Sequence, residues 1–190
     1  MKTGKLFVIS APSGSGKTTL CRRLIRSFSG KRRLVRSVSA TTRKRRKGEL
    51  SGRDYFFISQ AAFLQKRGRG QFLEWARVLG NFYGTPRSFV QGHIRSGDDV
   101  LLSIDVQGAS KLKRSQKQAV FIFIKPPSFQ ELKVRLCGRS TEDTSEIARR
   151  LKLARREMQS IKQYDYVVLN DKIEKALLRL KRIIIQERKK

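Results

Sequence analysis

Ala11-Pro12-Ser13-Gly14-Ser15-Gly16-Lys17-Thr18 is the stretch that decides the fold. Except that Ala11 stands where the pattern has its first glycine, it reads as a phosphate-binding loop, and both flanks agree with that reading. Leu6 to Ile9 before it form a short β-prone run; after it Leu20, Leu24, Ile25 and Phe28 fall at helical spacing, with Gly30 as a stop. In such a strand, loop and helix, small residues let backbone N–H groups close around a polyphosphate at the positive end of the helix. Lys17 is expected to reach the β and γ phosphates and the Thr18 hydroxyl to ligate Mg²⁺. Asp105, directly after the apolar run Val100 to Ile104, holds the position of a second metal partner acting through water. The alternative is a Gly/Ser turn of no chemical consequence. Having strand, loop, Gly-Lys-Thr and helix in order argues against it.

Outward from the loop, Val100 to Ile104, Ala119 to Ile124 and Tyr166 to Leu169 are short apolar runs of the kind that strands buried on both faces of a parallel sheet show. Helical patterns separate them. One spans about Pro86 to Ser96; a second puts Ile147, Leu151, Ala154, Met158 and Ile161 on one face; a third, with Ile173, Leu177, Leu180 and Ile184, closes the chain. The expected class is α/β, a phosphate-loop core with a parallel sheet flanked by helices. Between Ser37 and Thr85 the pattern changes to short β-like pieces such as Tyr55 to Ile58 and Phe72 to Ala76, the mark of an inserted lobe. Arg135 to Arg150 form a second, Arg-rich irregular patch at the start of a helix.

The 190 residues, 38% of them hydrophobic, suffice for one compact domain with appended lobes. Met1 to Lys5 run into the first apolar segment without a signal-type apolar region, and no apolar run approaches bilayer length. Cys21 and Cys137 form no CxxC pair and His93 is the only histidine, which leaves neither a disulfide framework nor a Cys/His zinc site. A reduced, cytoplasmic protein without a membrane partner is expected. The charge is the odd feature: 44 Lys plus Arg against 15 Asp plus Glu give +29. Nucleotide phosphates, a nucleic-acid surface, or a surface shaped by the host's protein chemistry each account for it, and composition does not choose among them. No specific nucleic acid is implied, though the charge allows a non-specific affinity for RNA.

The phosphate loop does not name a phosphoryl acceptor. Further motifs do: Ser-Val-Ser-Ala-Thr-Thr-Arg (37–43), Arg46, Gly48-Glu49, Gly52-Arg53-Asp54-Tyr55-Phe56-Phe57, Phe72-Leu73-Glu74-Trp75-Ala76, Gly80-Asn81-Phe82-Tyr83-Gly84-Thr85, Ile104-Asp105-Val106-Gln107-Gly108 and Pro126-Pro127-Ser128. In this order, over nearly the whole chain, they closely resemble the guanylate kinase family. The resemblance implies an ATP:GMP phosphotransferase of purine metabolism, with ATP and GMP (and dGMP) as substrates and Mg²⁺ as cofactor. It implies ATP binding by residues 11–19, Thr19 included, with Asn170 near the adenine. Ser39, Arg43, Arg46, Tyr55, Glu74, Tyr83, Thr85 and Asp105 would surround GMP. Two guanidinium forks suit a dianionic phosphate, and the tyrosine hydroxyls add neutral donors. A carboxylate at Glu74 accepts from guanine N1–H and N2–H together, where adenine offers a ring acceptor instead. Without the flanking motifs, Tyr55 and Tyr83 read as half-buried core aromatics, Glu74 as the solvent-facing neighbour of Trp75, and residues 43–47 as a wet basic face or a nucleic-acid patch. For Trp75 the packing reading stands.

The same resemblance makes Arg139 and Arg150 lid arginines that, with Lys17 and Arg43, neutralise charge on the transferred group, Arg135 assisting. Arg149, Arg155 and Arg156 read as the wet face of their helix, and His93 as a residue without catalytic work. The implied division is a core of 1–36, 86–133 and 157–190, a GMP-binding lobe of 37–85 and a lid of 134–156. The chain departs from the family pattern twice: Ser103 stands where a second acid is common, and Ser140 follows the lid arginine in place of glycine. Two rivals from other classes remain. A non-catalytic relative acting as a scaffold is expected to lose the loop lysine or glycines, which are intact here, and a nucleic-acid-binding protein lacks a motif. A kinase for another monophosphate is the rival within the enzyme class.

Overall fold

The computed structural model describes residues 3–30, 32–137 and 144–190. Its order is β1 (Leu6–Ser10), α1 (Lys17–Arg26), β2 (Leu34–Arg36), β3 (Ala40–Thr41), β4 (Phe56–Phe57), α2 (Gln60–Gly68), β5 (Phe72–Val78), β6 (Asn81–Pro86), α3 (Arg87–Arg95), β7 (Asp99–Ser103), α4 (Val106–Ser115), β8 (Val120–Lys125), α5 (Phe129–Cys137), α6 (Thr144–Gln159), a 3₁₀ turn (Ser160–Gln163), β9 (Tyr166–Leu169) and α7 (Ile173–Lys189). The α/β class with a central parallel sheet between helices is the one read from the sequence.

Five strands, β2-β7-β1-β8-β9, pair in parallel. β1 is buried along its whole length. Its alternate residues serve opposite faces: Phe7 and Ile9 join Leu20, Leu24, Leu180 and Ile184 of α1 and α7, while Leu6 and Val8 join Val90, Val100, Leu102 and Leu112 under α3 and α4. From β1 the chain turns first towards β2 and β7 and later, through β8, to the other side. The carboxyl ends of β1 and β7 therefore flank the point where strand order reverses, the place such sheets reserve for ligands.

Residues 40–86 supply a second sheet, β4-β3-β6-β5, in which β3 pairs with β6 and β5 with β6 antiparallel. Phe63 of α2, fully buried, stacks on Phe72 and Phe82 at 4.5 and 5.3 Å between ring centroids and forms the small core of this unit. The β5–β6 hairpin turns on Leu79 and Gly80, both at positive φ.

Three helices go beyond the sequence reading. α2, α4 and α5 are short, nine or ten residues each, but each begins at a side-chain cap: Ser59 accepts from the Ala62 N–H, Asp105 from Gln107 and Gly108, Ser128 from Glu131. Their stability comes from packing on a sheet or on α6, which periodicity underweights. α5 also replaces the first residues of the expected irregular patch. Arg139 and Ser140 lie outside the described residues.

Candidate active site

The end of β1, the turn after it and the first residues of α1 form a bed of backbone amides. Gly14 and Gly16 take φ of 86° and 80°, conformations that side chains disfavour, and a Cβ on Gly16 would lie 2.6 Å from Asn170 Nδ2. Asn170 is buried behind this loop and donates to the Ser15 carbonyl at 2.7 Å. It braces the loop from below rather than lining the cavity. Lys17 Nζ donates to the Ile104 carbonyl at the end of β7, 2.6 Å away. Loss of solvation lowers the pKa of this ammonium, against the pull of Cys21, Asp105 and Glu157.

One cavity of about 290 Å³ opens over the loop. Residues 11–19 line it from the core side, Ser39, Arg43, Arg46, Tyr55, Glu74 and Tyr83 from the inserted sheet, and Asp105 and Arg150 from between. Most of the expected set thus meets in a single space. Thr85 stands one layer back, fully buried, and its hydroxyl donates to Glu74 Oε1 at 2.6 Å.

Glu74 corrects its default reading as a solvent-facing neighbour of Trp75. Burial alternates along β5 with Phe72, Glu74 and Ala76 inward, and Glu74 is only 7% exposed. A Cβ on Gly108 would sit 2.5 Å from Glu74 Oε2, so the bare glycine of α4 is what admits the carboxylate there. Burial raises its pKa to about 7, with the Asp105 charge adding to the rise while the Thr85 hydrogen bond and Lys111 oppose it. Trp75 packs in the cluster around Phe63 with Lys111 and Arg67 over its ring, as the packing reading expects.

On the lobe side, one nitrogen of Arg43 donates to both Glu49 oxygens, at 2.7 and 3.0 Å, and Glu49 also accepts from the Arg46 N–H. The Arg43 guanidinium lies over the Tyr55 ring, itself edge-on to Tyr83 at 5.9 Å. Glu49 therefore fixes the Arg43 guanidinium and the Arg46 backbone without lining the cavity. The lobe is tied to α1 by Asp54, which accepts from Arg22 at 2.5 Å and Arg53 at 2.9 Å. Burial works against the Asp54 charge, but the Leu50 N–H and the two guanidiniums hold the carboxyl at about 2.

Sequence reasoning missed Leu153 and Glu157. With Arg150 they line the cavity at i, i+3 and i+7 of α6, one helical stripe, and that spacing was the signal available. Burial raises the Glu157 pKa to about 7, with Lys17 and Asp105 the charges it feels. Val78, Leu79 and Asn81, at the tip of the β5–β6 hairpin, were missed as well. Arg149, Arg155 and Arg156 are exposed, as expected for a wet face. His93 pairs with Asp98 at 2.9 Å, outside the cavity lining. Ser103 lines the cavity, and Cys21 is buried.

The arrangement can hold a polyphosphate on backbone amides and a lysine, hold a second anion on two arginines, and read a polar heterocycle with a buried carboxylate. No described group of three acidic, His or Cys side chains converges to form a metal cage. Comparison with known proteins agrees with this chemistry. The guanylate kinase family model matches residues 3–187. A guanylate kinase of Wolbachia pipientis is 48% identical over 188 residues, covering 98% of this chain and 92% of the relative. One of Syntrophotalea carbinolica is 49% identical over 186 residues, covering 98% and 87%. The crystal structure of guanylate kinase from Anaplasma phagocytophilum superposes with a TM-score of 0.83 at 37% identity, covering all of this chain and 88% of that one. Family match, identity and shared architecture span the same length, and the chain belongs to the guanylate kinase family.

Proposed function

We propose that the cavity works as one phosphoryl-transfer chamber, in which this guanylate kinase moves the γ-phosphoryl group of ATP onto GMP. The observation that carries this is the meeting of the phosphate loop with Arg43, Arg46, Tyr55, Tyr83 and Glu74 in one space. Residues 11–19 seat the donor's phosphates on N–H groups, while Lys17 exchanges its carbonyl partner for the β and γ oxygens. Asn170 serves ATP indirectly, by keeping the loop in shape. Arg43, aimed by Glu49, and Arg46 grip the GMP phosphate with Tyr55 and Tyr83. Glu74, ionised and held by Thr85, takes the two guanine donors, and Ser39 completes the base contacts. The acceptor oxygen is already ionised at neutral pH, so no side chain has to remove a proton from it. Arg150 of α6 and Arg139 of the lid supply positive charge where the transferred group develops its own.

The metal reading fits the oxygens present. Thr18 offers a hydroxyl beside the loop, Asp105 a carboxylate in the same cavity, and Glu157 a buried Oε2 with no hydrogen-bond partner among the described residues. Bound with ATP on Thr18, and on Asp105 through water, Mg²⁺ would offset charge on the β and γ oxygens. We assign residues 37–85 to GMP, 134–156 to a lid and the remainder to the core; closure of lobe and lid excludes water from the transfer.

No helix of the described residues is long and apolar enough to cross a membrane. We place the enzyme in the cytoplasm with its two nucleotides. Its +29 charge gives a secondary, non-specific affinity for RNA that falls steeply with salt. The test of the main reading is an ADP-release assay with ATP and Mg²⁺, offering GMP, dGMP, AMP, CMP and UMP in turn. Turnover with GMP and dGMP alone is expected. Turnover with none, or equal turnover with AMP, overturns it.

A further inference from the structure

Among the described residues, three carboxylates line the cavity: Glu74, Asp105 and Glu157. Glu74 is engaged by Thr85 at the base-reading end. Asp105 spends Oδ1 on capping α4. Glu157 has no such duty. It is 8% exposed and lines the cavity, and its Oε2 is buried without a hydrogen-bond partner among the described residues. An oxygen in that condition costs stability unless something else donates to it. Its surroundings say what that is. Lys17 and Asp105 line the same cavity and act on its charge, which puts it on the side of the seat of the donor's terminal phosphates. A bare polyphosphate brings only acceptors there and would face the carboxylate of Asp105 and, once its proton is lost, that of Glu157. A hydrated divalent cation on the same polyphosphate reverses the sign of the contact, because its waters are donors.

We propose that Glu157, together with Asp105, makes the cavity select the cation-bound nucleotide over the free polyphosphate, by accepting hydrogen bonds from the water shell of the cation. This rests on the Proposed function only for the location of the donor phosphates. Ser103 of β7 offers no carboxylate to this cavity, and Glu157 of α6 does. It also joins selection to the lid, since Arg150, Leu153 and Glu157 are one stripe of α6. Arg150 addresses phosphate and Glu157 the cation's water shell, so a nucleotide carrying both satisfies the two ends of the stripe at once.

The experiment is isothermal titration of the full chain with ADP, once in excess Mg²⁺ and once in EDTA, and the reading is the ratio of the two dissociation constants. In Glu157→Gln, which keeps shape and removes the charge, the ratio should fall about ten-fold, the usual loss when an outer-shell partner of a metal is removed. Affinity for cation-free ADP should stay equal or rise. Glu174→Gln, on the exposed face of α7, should leave the ratio unchanged. A ratio unchanged in Glu157→Gln overturns the proposal. So does an equal loss with and without Mg²⁺, which would mean that Glu157 only packs α6 or holds a trapped water with the nearby unpartnered Tyr164 hydroxyl. Should that variant not fold, Glu157→Asp keeps the charge but shortens its reach and should give an intermediate ratio; a wild-type ratio there overturns the proposal equally. Wild-type chain that binds ADP under neither condition contradicts the phosphate-loop reading itself, a separate failure.

Discussion

Thr85 Oγ1 donates to Glu74 Oε1 across 2.6 Å, between paired positions of β5 and β6. The bond joins two buried side chains and leaves the other carboxylate oxygen against α4. Thr85→Val keeps the volume and removes the donor. The Michaelis constant for GMP should rise about ten-fold, corresponding to roughly 1.5 kcal/mol for a hydrogen bond to a charged group. The constant for ATP should not move, and steady-state kinetics with each substrate varied in turn measures both. A matching rise for ATP would show general damage instead.

With Glu74 reading the base as proposed, its raised pKa, about 7 from burial with Asp105 adding to it, should make guanine binding pH-dependent. The carboxyl holds its proton below that value, and a protonated carboxyl cannot accept from both guanine donors. GMP affinity should therefore climb between about pH 6 and 8, with a proton released on binding at the lower end. Titration calorimetry in buffers of different ionisation enthalpy detects the release, and the part that disappears in Glu74→Gln belongs to this residue rather than to the GMP phosphate. The sign for stability is opposite to that of a salt-bridged acid. With a folded pKa above the ordinary 4.5, ionisation weakens the empty protein as pH rises from 4.5 towards 7. Glu74→Gln should thus raise Tm more at pH 8 than at pH 5, as thermal unfolding at the two pH values would record.

Gly108→Ala tests the close approach of α4 to Glu74. Helix propensity alone favours alanine by about 1 kcal/mol, but the added Cβ would lie 2.5 Å from Oε2 and 3.2 Å from Cδ of Glu74. The carboxylate has to shift, and selectivity for GMP over AMP should fall by about ten-fold or more while ADP affinity is kept. Unchanged selectivity would mean that Glu74 does not read the base from the position it holds here.

Asp99 is fully buried and accepts from Arg32 at 2.7 Å, Arg188 at 2.6 Å and the Lys5 N–H at 2.7 Å, gathering the stretch before β2, the end of α7 and the approach to β1 at one point. Asp99→Ala leaves two guanidiniums without their shared acceptor. Because both retain some access to water, a loss of roughly 2–3 kcal/mol is expected in urea unfolding, with Michaelis constants unchanged in the folded fraction.

Asp54 gives the opposite pH signature to Glu74. Its folded pKa near 2 lies below the ordinary 3.8, held down against burial by Leu50 N–H, Arg53 and Arg22. Its contribution is in place above 3.8 and is lost as pH falls through 2. Asp54→Asn should remove that part of the acid transition and loosen the lobe from α1, read as faster hydrogen exchange in the 50–57 segment.

The sequence by itself determined what depends on near neighbours and on pattern. The loop from Ala11 to Thr18 is legible because glycines at 14 and 16 answer a local backbone demand and because strand and helix periods adjoin it. Runs such as Val100 to Ile104 announce a sheet buried on both sides, whatever covers it. The ordered motifs from Ser39 to Asp105 named the residues that gather around the cavity. Only the tertiary structure decided what surrounds each of those residues. Glu74 is buried and proton-retaining because a hairpin partner and a glycine of a distant helix enclose it. Asn170 braces the loop rather than facing the cavity because β9 ends behind Ser15. Glu157 is a cavity residue because α6 turns one stripe inward. Solvation, and with it charge and proton affinity, is a property of the space around a side chain, and that space is assembled from segments far apart in the chain.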